Sequence, residues 1–436
     1  MKYHIWTEGC QMNVADSQRM AAALERLGLE NSRLPDEADV IVLNTCVVRQ
    51  SAEDKAYGRL SSLRPLKTKN PELIINLMGC MVGVRNLAQL KERFPYVDVF
   101  SPPSDPGPLI AHLTRSETRR QHDIELVTRN ALLDEELPLP KPDEGQVSVF
   151  LPVVLGCSHG CTYCVIPSRR GKERSRPPAE ILAEASSLAH QGVKEITLLG
   201  QIVDRYGCDL EEGQGLSDLL CRLSEIEGIQ RVRYLTSHPN YLTDRILETT
   251  AGISKVCPHI EVPVQAGDDK VLAVMRRGYT ANDYRILISR IRTYLPEGSI
   301  GTDIIVGFPG ETDDQFQNTV DLLEELKLDV AHLARYSPRP DTPAYRNLND
   351  DVTANEKLRR FRVLDEQQER IVGDINSRLL GTQQEVLFET KVRGRWRGRT
   401  RTNKLVFVES EENLSGVLRL VKVTWAGPWS MQATLA

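Results

Sequence analysis

Three cysteines lie close together near the middle of the chain, at Cys157, Cys161 and Cys164. Their CxxxCxxC spacing places three thiols within eight residues. Cysteine thiolates are the usual ligands of cubic 4Fe-4S clusters, and a complete ligand set has four of them. A loop that offers only three leaves one iron open, so that a small molecule can coordinate it. The spacing therefore predicts a cluster that takes part in chemistry.

A zinc site is the alternative for the same loop. Structural zinc usually takes four protein ligands, often as two CxxC-like pairs. His159 is available as a fourth ligand, but it lies inside the tight loop, where binding would strain the chain. The loop also follows a predicted barrel strand, and active sites are built at the carboxyl ends of such strands. These points favour the cluster.

A second set of cysteines, Cys10, Cys46 and Cys80, is dispersed over the first 80 residues. Each follows a predicted strand within a few residues, and the carboxyl ends of parallel strands meet at one edge of a sheet. We therefore expect the three thiols to converge. Free cysteine is also often a small buried residue of the core, and the spacing alone leaves both interpretations open.

Alternating strand and helix patterns must position these cysteines. In the first 100 residues the strand-like runs are Tyr3–Trp6, Val40–Leu43 and Leu73–Met78, with helical spacing over Ser17–Leu27 and Ala52–Leu63. This order predicts a parallel sheet with right-handed crossovers.

From Val147 the same rhythm resumes and fits a full or partial βα barrel. Its candidate strands are Val147–Leu155, Glu195–Leu199, Val232–Leu235, Ile260–Val262, Ile300–Val306 and Val330–Arg335. The last 57 residues change to short strands with polar turns, typical of a small all-β barrel. Proline-rich stretches at 101–108 and 137–145 interrupt regular structure. We predict an α/β chain with a parallel-sheet domain (1–115), a linker (116–145), a partial barrel (146–375) and an all-β barrel (376–436).

The overall composition sets the class of protein. The 436 residues are 40% hydrophobic and 26% charged, as in a soluble globular protein. No run of 18 apolar residues exists, and the N-terminus lacks the apolar stretch of a secretory signal. We expect a cytoplasmic protein that has no membrane segment. In that reducing compartment, nine cysteines are more often metal ligands or catalytic groups than disulfides.

Charge is concentrated at the C-terminal end. Residues 375–436 carry ten basic and five acidic side chains, a net +5, whereas the remainder, with 45 basic and 55 acidic, carries −10. Alternate residues from Lys391 to Arg401 are basic, and an extended strand would place them on one face. Crowded like charges favour an anionic partner such as RNA phosphate. A turn at Gly394 or Gly398 would divide the stripe, and a solvated charge run is the alternative.

Taken together, these motifs resemble the radical S-adenosylmethionine methylthiotransferase family over essentially the whole chain. The contexts Thr-Glu-Gly-Cys10-Gln-Met-Asn, Asn-Thr-Cys46-Val-Val-Arg and Gly-Cys80 are similar to its N-terminal domain. The CxxxCxxC loop, with Tyr163 before the last cysteine, is similar to its radical domain, and Gly398–Lys404 resembles its RNA-binding TRAM domain. The resemblance implies two 4Fe-4S clusters, one on Cys157, Cys161 and Cys164 and an auxiliary one on Cys10, Cys46 and Cys80.

The resemblance also implies binding roles for polar residues near strand ends. S-adenosylmethionine would be bound by Tyr163, Gly200, Gln201, Ser237, His238, Gln265, Asp303 and Gly307. Ile202 departs from the pattern, because the family usually has Asn there. Substrate or RNA would be bound by Gln11, Asn13, Arg49, Arg170, Arg176, Arg339, Arg395, Arg397, Arg399 and Lys404. Glu8, Gln11, Asn13 and Arg49 would also line the auxiliary cluster.

The implied activity is addition of a methylthio group to carbon 2 of N6-isopentenyladenosine at position 37 of tRNA. One S-adenosylmethionine would donate a methyl group, and a second would be cleaved to the radical that activates the carbon. The segment Tyr336-Ser-Pro-Arg339-Pro-Asp-Thr-Pro resembles the tRNA-acting members, although Asp341 replaces their glycine. Val262-Pro-Val-Gln-Ala-Gly267 favours the isopentenyl type.

Several alternatives to this activity remain at the level of sequence. A methylthiotransferase for a ribosomal-protein aspartate or for threonylcarbamoyladenosine in tRNA is the nearest. An RNA-binding metal protein without catalysis and an electron-transfer iron–sulfur protein belong to other classes. The expected partners are tRNA, an electron donor of the flavodoxin or ferredoxin type, and a sulfur source or iron–sulfur carrier. We expect the chain to act as a monomer.

Overall fold

The structure is a computed structural model of the chain, and it describes residues 1–48, 50–84, 87–117, 139, 142, 145–210 and 214–436. The chain divides into two compact units. Unit 1 comprises residues 1–142, 155–159 and 164–173, and unit 2 comprises residues 143–154, 160–163 and 174–436. The predicted linker at 116–145 lies mostly outside the described residues.

Unit 1 is built on a parallel sheet. Its strands are β1 (Lys2–Glu8), β2 (Glu30–Asn31), β3 (Val40–Thr45), β4 (Ile74–Gly79) and β5 (Val99–Ser101), in the order β2-β1-β3-β4-β5. The central strand β3 is buried along its whole length, as expected for a strand covered on both faces. The predicted parallel sheet is confirmed, and the sequence missed only the two short edge strands, which carry little periodicity.

The helices that the structure describes in unit 1 are α1 (Gln11–Arg26), α2 (Gln50–Lys69), α3 (Ala88–Arg93), α4 (Gly107–Glu117) and the short α5 (Ile166–Arg169). Of these, α1, α2 and α4 pack on this sheet. Helix α1 begins six residues before the predicted Ser17, because the Asn13 side chain accepts a hydrogen bond from the Cys10 amide at 3.3 Å and caps the first turn. The proline-rich stretch at 101–108 spans the end of β5 and the start of α4.

Unit 2 contains the predicted partial barrel. Six parallel strands form two three-stranded sheets, ordered β10-β9-β6 and β11-β12-β13. The bounds are β6 (Ser148–Pro152), β9 (Glu195–Leu199), β10 (Arg231–Tyr234), β11 (His259–Glu261), β12 (Ser299–Val306) and β13 (Val330–Arg335), with short strands β7 (Val154–Leu155) and β8 (Arg174–Ser175) after β6. All six match predicted strands, and five of them are mostly buried, whereas β13 is only partly buried.

Helices alternate with these strands and enclose one large apolar core. They are α6 (Pro178–His190), α7 (Leu216–Ser224), α8 (Asp244–Gly252), α9 (Asp269–Val274), α10 (Ala281–Tyr294), α11 (Asp313–Leu326) and α12 (Pro343–Asn347). The long helix α13 (Ala354–Ser377) covers β13 and leads to the C-terminal part of unit 2. None of the helices that the structure describes is long and apolar enough to cross a membrane.

The C-terminal strands close into a small barrel, as predicted. Their order is β14-β15-β16-β18-β17, with bounds β14 (Gln383–Val392), β15 (Arg395–Thr400), β16 (Leu405–Val408), β17 (Leu418–Ala426) and β18 (Met431–Leu435). Its core includes Phe388, Val406 and Trp396, whose side chain is only 8% exposed. A turn at Arg393 and Gly394 separates β14 from β15 and divides the stripe of basic residues.

Candidate functional site

The three N-terminal cysteines follow adjacent strands of unit 1. Glu8, Thr45 and Gly79 are aligned across β1, β3 and β4, so Cys10, Cys46 and Cys80 leave the sheet at the same edge. The Cys80 amide donates to the carbonyl of Thr45 at 2.9 Å. The topology therefore produces the convergence that the sequence predicted.

Two glycines permit this close approach. A Cβ on Gly9 would clash with Asn13 and stand 2.9 Å from the Cβ of Cys46. Gly79 has φ +98°, and a Cβ there would lie 2.5 Å from the Thr45 carbonyl oxygen. Each glycine directly precedes a cysteine, so the backbone packing itself brings the thiols together.

The thiols of this set interact with one another. A hydrogen bond with Cys80 lowers the pKa of Cys46 to about 7, and the Val48 amide also donates to the Cys46 sulfur at 3.4 Å. Cys10 is exposed, whereas Cys46 and Cys80 are buried. A lowered pKa favours the thiolate, which is the form that binds metal.

Asparagines support the set from beneath. Asn13 is fully buried and donates to Asn44 Oδ1 at 2.9 Å and to the Thr45 carbonyl at 3.1 Å. Its Oδ1 also lies 3.4 Å from the Cys10 sulfur. Asn13 thus supports the cysteine set, and Gln11 is exposed at the start of α1. Arg49 lies outside the described residues.

A buried ion pair lies beside the same cysteines. Arg170 donates to Asp16 Oδ2 at 3.0 Å, and both side chains are almost completely buried. Cys80 and Cys10 are close enough to interact electrostatically with the guanidinium. Burial against Asp16 argues against the RNA contact that the sequence suggested for Arg170. Instead, the guanidinium places a positive charge next to a potential anionic cluster.

Among the described residues, no three His, Cys, Asp or Glu side chains lie close enough to hold one metal ion together.

The CxxxCxxC loop is held differently in each unit. In unit 1, the Cys157 amide donates to the carbonyl of Gly171 at 3.1 Å, and the Cys157 sulfur accepts from the His159 amide at 3.4 Å. In unit 2, the Thr162 amide donates to the carbonyl of Met275 at 3.1 Å, and its hydroxyl to that of Val274 at 2.9 Å.

Arg277 contacts Cys161 directly. Its Nη1 lies 3.2 Å from the Cys161 sulfur, its Nη2 donates to the carbonyl of Pro263 at 3.2 Å, and its Nε to the hydroxyl of Tyr279 at 2.8 Å. The Tyr279 hydroxyl is in turn 2.9 Å from the carbonyl of Val264. The guanidinium is 6% exposed and is held by neutral groups and a thiol, so an anionic cluster would balance its charge.

Two of the residues expected to bind S-adenosylmethionine follow the same strand, and one of them contacts Tyr279, the partner of Arg277. Ser237 and His238 follow β10 and are both 2% exposed. The His238 ring packs edge-on against Tyr279, with ring centroids 5.7 Å apart. The Ser237 Oγ is buried and has no hydrogen-bond partner among the described residues. An orphan hydroxyl of this kind fits a site that binds a polar ligand.

Of the other residues of that prediction, Gln265, Gly200, Gln201 and Gly307 lie beyond the carboxyl ends of strands, whereas Asp303 lies inside β12 and Tyr163 in the cysteine loop. The Gln265 amide donates to the carbonyl of Asp303 at 2.8 Å, and Gln265 has φ +78°, which is rare outside glycine and common at binding sites. Tyr163 packs edge-on against Phe308 at 6.5 Å. Three further predicted positions follow β9 or β12, namely Gly200, Gln201 and Gly307.

Two more arginines were predicted to touch substrate but are buried. Arg176 donates to Glu184 at 2.6 Å and to the carbonyl of Pro152 at 2.8 Å, in a pair that is 6% and 2% exposed. This placement argues against an RNA contact, because the side chain completes the helix packing of unit 2. The Arg339 side chain is 5% exposed, and its carbonyl accepts from Thr342 Oγ1 at 2.8 Å.

Residues 400–404, which we call the docking loop, attach the small barrel to the amino ends of the strands of unit 2. Arg233 donates to the carbonyls of Thr400 and Arg401, both at 2.7 Å. Ser299 donates to the carbonyl of Thr402 at 2.8 Å. Arg231, fully buried, donates to the carbonyl of Arg399 at 2.7 Å.

The docking loop uses part of the predicted RNA-binding motif. Lys404 donates to Asp329 at 2.8 Å, and its side chain is only 13% exposed. The sequence suggested an RNA contact for Lys404, whereas the structure places it in an internal ion pair. Arg395 is exposed and pairs with Glu409, and Arg397 and Arg399 both contact Glu389. Trp396 is in the barrel core and is not available for stacking.

Two residues of the site, Arg277 and Asp16, were not predicted, because they are remote in sequence from the residues that they contact. Arg277 is 116 positions from Cys161, and Asp16 is 154 positions from Arg170. No spacing in the sequence signals such pairs. Alternation along β15 puts Trp396 on the face opposite Arg395 and Arg397, which agrees with its place in the barrel core.

Two family profiles and one solved structure relate this chain to known proteins. The Radical SAM superfamily profile matches residues 151–323, and that of Uncharacterized protein family UPF0004 matches residues 2–101. Among solved structures, a radical S-adenosylmethionine methyltransferase from Kitasatospora setae shares the fold, with TM-score 0.57 and 13% identity over 90% of this chain and 79% of that one.

Curated relatives match over nearly the full length. A tRNA-2-methylthio-N(6)-dimethylallyladenosine synthase of Roseiflexus sp. is 44% identical over 100% of this chain and 90% of its own. The synthase of Dehalococcoides mccartyi is 43% identical over 99% and 98%. These matches confirm the resemblance to methylthiotransferases that the motifs indicated. The chain therefore belongs to the family of tRNA-2-methylthio-N(6)-dimethylallyladenosine synthases.

Proposed function

We propose that the protein adds a methylthio group to carbon 2 of N6-isopentenyladenosine at position 37 of tRNA. The observation that carries the proposal is the full-length match to relatives of that name. The two cysteine sets support it, because each is positioned by a separate sheet. The reaction would need S-adenosylmethionine both as methyl donor and as radical source.

The cofactors in this proposal are S-adenosylmethionine and iron–sulfur clusters. Cys157, Cys161 and Cys164 would hold one 4Fe-4S cluster, and Cys10, Cys46 and Cys80 a second. When bound, these groups supply the radical and methyl-transfer chemistry, while the protein supplies binding, orientation and electrostatics.

The chain's own residues would orient these groups. Arg277 holds the Cys161 sulfur through an N–H···S contact of 3.2 Å and places a positive charge beside it. Near the N-terminal set, Asn13 Oδ1 accepts from the Cys10 thiol at 3.4 Å, and Arg170 supplies a positive charge. Ser237, with its orphan hydroxyl, would bind a polar group of S-adenosylmethionine, and so would His238.

The other predicted residues complete the two binding sites of this proposal. Tyr163, Gly200, Gln201, Gln265, Asp303 and Gly307 would complete the S-adenosylmethionine site. Gln11, Arg395, Arg397 and Arg399 would contact substrate. We further propose a cytoplasmic monomer that takes electrons from a flavodoxin or ferredoxin and sulfur from an external source or iron–sulfur carrier.

Mass analysis of tRNA nucleosides tests the proposal directly. Reconstituted protein is incubated with isopentenylated tRNA, S-adenosylmethionine and a reductant. The tRNA is then digested to nucleosides. We expect a methylthio derivative of isopentenyladenosine. Modification of only threonylcarbamoyladenosine, or of only a ribosomal protein offered in parallel, would assign the chain to another specificity. Cleavage of S-adenosylmethionine to 5′-deoxyadenosine separates all of these from an electron-transfer protein.

Iron analysis tests the number of clusters. Two cubanes require about eight irons per chain. A Cys46→Ala protein should keep about half of that iron and retain the cluster of the CxxxCxxC loop. Full iron content in this variant would contradict the second cluster, and zinc without iron in the wild-type protein would contradict the enzyme.

A further inference from the structure

A polar cavity of about 320 Å³ lies within unit 2, and none of the predicted cluster cysteines lines it. Strands β11 and β13 line it with Glu261 and His332, and the C-terminal barrel lines it with Arg399, Asn403 and Trp429. Its volume is at the lower end of the range for sites that bind small ligands. It contains none of the residues assigned to S-adenosylmethionine.

Trp429 forms an aromatic wall of this cavity. Its side chain is 56% exposed, which is unusual for so large an apolar group in a soluble protein. It lies in the loop that joins β17 to β18, next to Pro428. An exposed indole over a cavity presents a flat face that a planar ligand can cover.

The loop that carries Trp429 is anchored. Asn376, near the end of α13, donates to the carbonyls of Gly427 at 2.9 Å and Pro428 at 3.0 Å. The Gly427 amide also donates to the carbonyl of Ser430 at 3.0 Å. The backbone on both sides of Trp429 is therefore held in place, so little conformational freedom would be lost on binding.

Hydrogen-bonding groups line the same cavity. The Asn403 side chain lies between Arg399 Nη1, at 3.3 Å from its Oδ1, and His259 Nε2, at 3.4 Å from its Nδ2. His332 contacts Glu261 at 3.1 Å, and its side chain is 49% exposed. Donors and acceptors thus stand beside an aromatic face, which is the combination that recognises unpaired bases.

The charge of the C-terminal segment favours a nucleotide as the occupant. Residues 375–436 carry a net +5 on an otherwise acidic chain. Arg399 lines the cavity, its side chain is 38% exposed, and it also contacts Glu389 at 3.5 Å. A base with its phosphate would thus meet both a stacking face and positive charge.

We propose that this cavity binds one unpaired nucleotide of the substrate RNA, whose base stacks on Trp429. This inference rests on the proposed function, because it takes the RNA to be the enzyme's substrate. The nucleotide is distinct from the adenosine that reacts, since the cavity lies toward the amino ends of β11 and β13 and the cysteine loop follows the carboxyl end of β6.

The test measures RNA affinity in the full-length reconstituted protein. The probe is an isopentenylated anticodon stem-loop with its unpaired bases, titrated without reductant. Trp429→Ala should bind it about tenfold more weakly, the effect expected for loss of one stacked base. The slope of affinity against salt should stay unchanged, because no phosphate contact is removed. Leu420→Ala is the matched control, since Leu420 is 54% exposed on the same barrel but does not line the cavity.

A second variant covers the case in which Trp429→Ala disturbs the fold. Trp429→Phe keeps an aromatic face and should retain most of the affinity, yet it should lose part of the tryptophan quenching that RNA causes. Unchanged affinity of Trp429→Ala, or unchanged quenching in Trp429→Phe, would overturn the proposal. If the wild-type protein modifies tRNA but Trp429→Ala binds the probe as tightly as the wild type, only the nucleotide site is overturned. The proposed function then stands. Failure of the wild-type protein to bind the probe would overturn both proposals.

Discussion

At the scale of single residues, buried charges decide how a cluster would behave. Arg277 is held by Pro263, Tyr279 and the Cys161 sulfur. Hydrogen bonds to cluster sulfurs and nearby positive charge stabilise the reduced, more negative state and so raise the reduction potential. The partners of Arg277 fix its orientation, so this effect is built into the fold.

Arg277→Gln should therefore lower the reduction potential of the cluster on the CxxxCxxC loop. The measurement is a redox titration of reconstituted protein followed by electron paramagnetic resonance. Arg276→Gln serves as the control, because Arg276 is exposed and adjacent in sequence. An unchanged potential with unchanged iron content would contradict the role of the N–H···S contact.

His259 makes stability depend on pH. Burial, with Arg233 nearby, lowers the pKa of His259 from its ordinary 6.5 to about 4. Between these values the unfolded chain binds a proton that the folded chain does not. Stability should therefore fall as the pH drops through this window, by about 1.4 kcal/mol per pH unit, and should not change above it on account of this residue.

Thermal unfolding of wild-type and His259→Gln protein at pH 7 and pH 5 measures this effect. The wild-type protein should lose more stability on acidification than the variant, which has no imidazole at this position. His190→Gln is the control, because His190 is exposed. Equal losses in wild-type and His259→Gln protein would show that the protonation of His259 is the same in the folded and the unfolded chain.

At the scale of elements, the strand-to-helix junctions of unit 1 assemble the cysteine set. The sequence predicted that the strands end near Cys10, Cys46 and Cys80, and this is confirmed. The close packing of Gly9 against Asn13 and Cys46 was not predictable, because it depends on residues from two different strands and a helix.

Gly9→Ala should disrupt this junction. The added methyl group would clash with Asn13 and press on Cys46, so the N-terminal set should lose its geometry. We expect iron to fall from about eight toward about four per chain, as measured by metal analysis. Gly58→Ala is the control, because a Cβ there meets nothing within 4 Å, and it should stabilise helix α2 by about 1 kcal/mol. Full iron in Gly9→Ala would contradict the steric argument.

At the scale of the whole molecule, the small barrel is attached to the partial barrel through buried arginines. Arg231 donates to the carbonyls of Arg399 and Glu385 and to the Glu385 carboxylate at 2.9 Å. Arg233 holds the docking loop and pairs with Glu195. Hydrogen bonds from charged donors are worth about 1.5–3 kcal/mol each, so this attachment is strong.

Arg231→Ala should cost about 3 kcal/mol or more, because buried carbonyls would lose a charged donor. Chemical denaturation should then show the C-terminal barrel unfolding in a separate, earlier transition. Arg395→Ala, which removes only an exposed pair with Glu409, should cost about 1 kcal/mol or less. A single unchanged transition in Arg231→Ala would show that other contacts suffice.

The sequence by itself determined the features that are local. Three thiols within eight residues, strand ends that precede Cys10, Cys46 and Cys80, and the alternation that buries Trp396 all follow from spacing along the chain. Each of these features depends only on residues that are close together along the chain. The layout of the sheets and the small barrel was therefore predictable.

Only the tertiary structure decided which basic residues can contact RNA. The sequence assigned Arg170, Arg176 and Lys404 to RNA, but each lies in an internal ion pair. Arg277 reaches Cys161 from 116 positions away, and Trp429 stands over a cavity lined by distant strands. A basic side chain has the same sequence signature whether it binds phosphate or a buried carboxylate. The partner is chosen by packing between elements that are remote in sequence, and spacing carries no record of that choice.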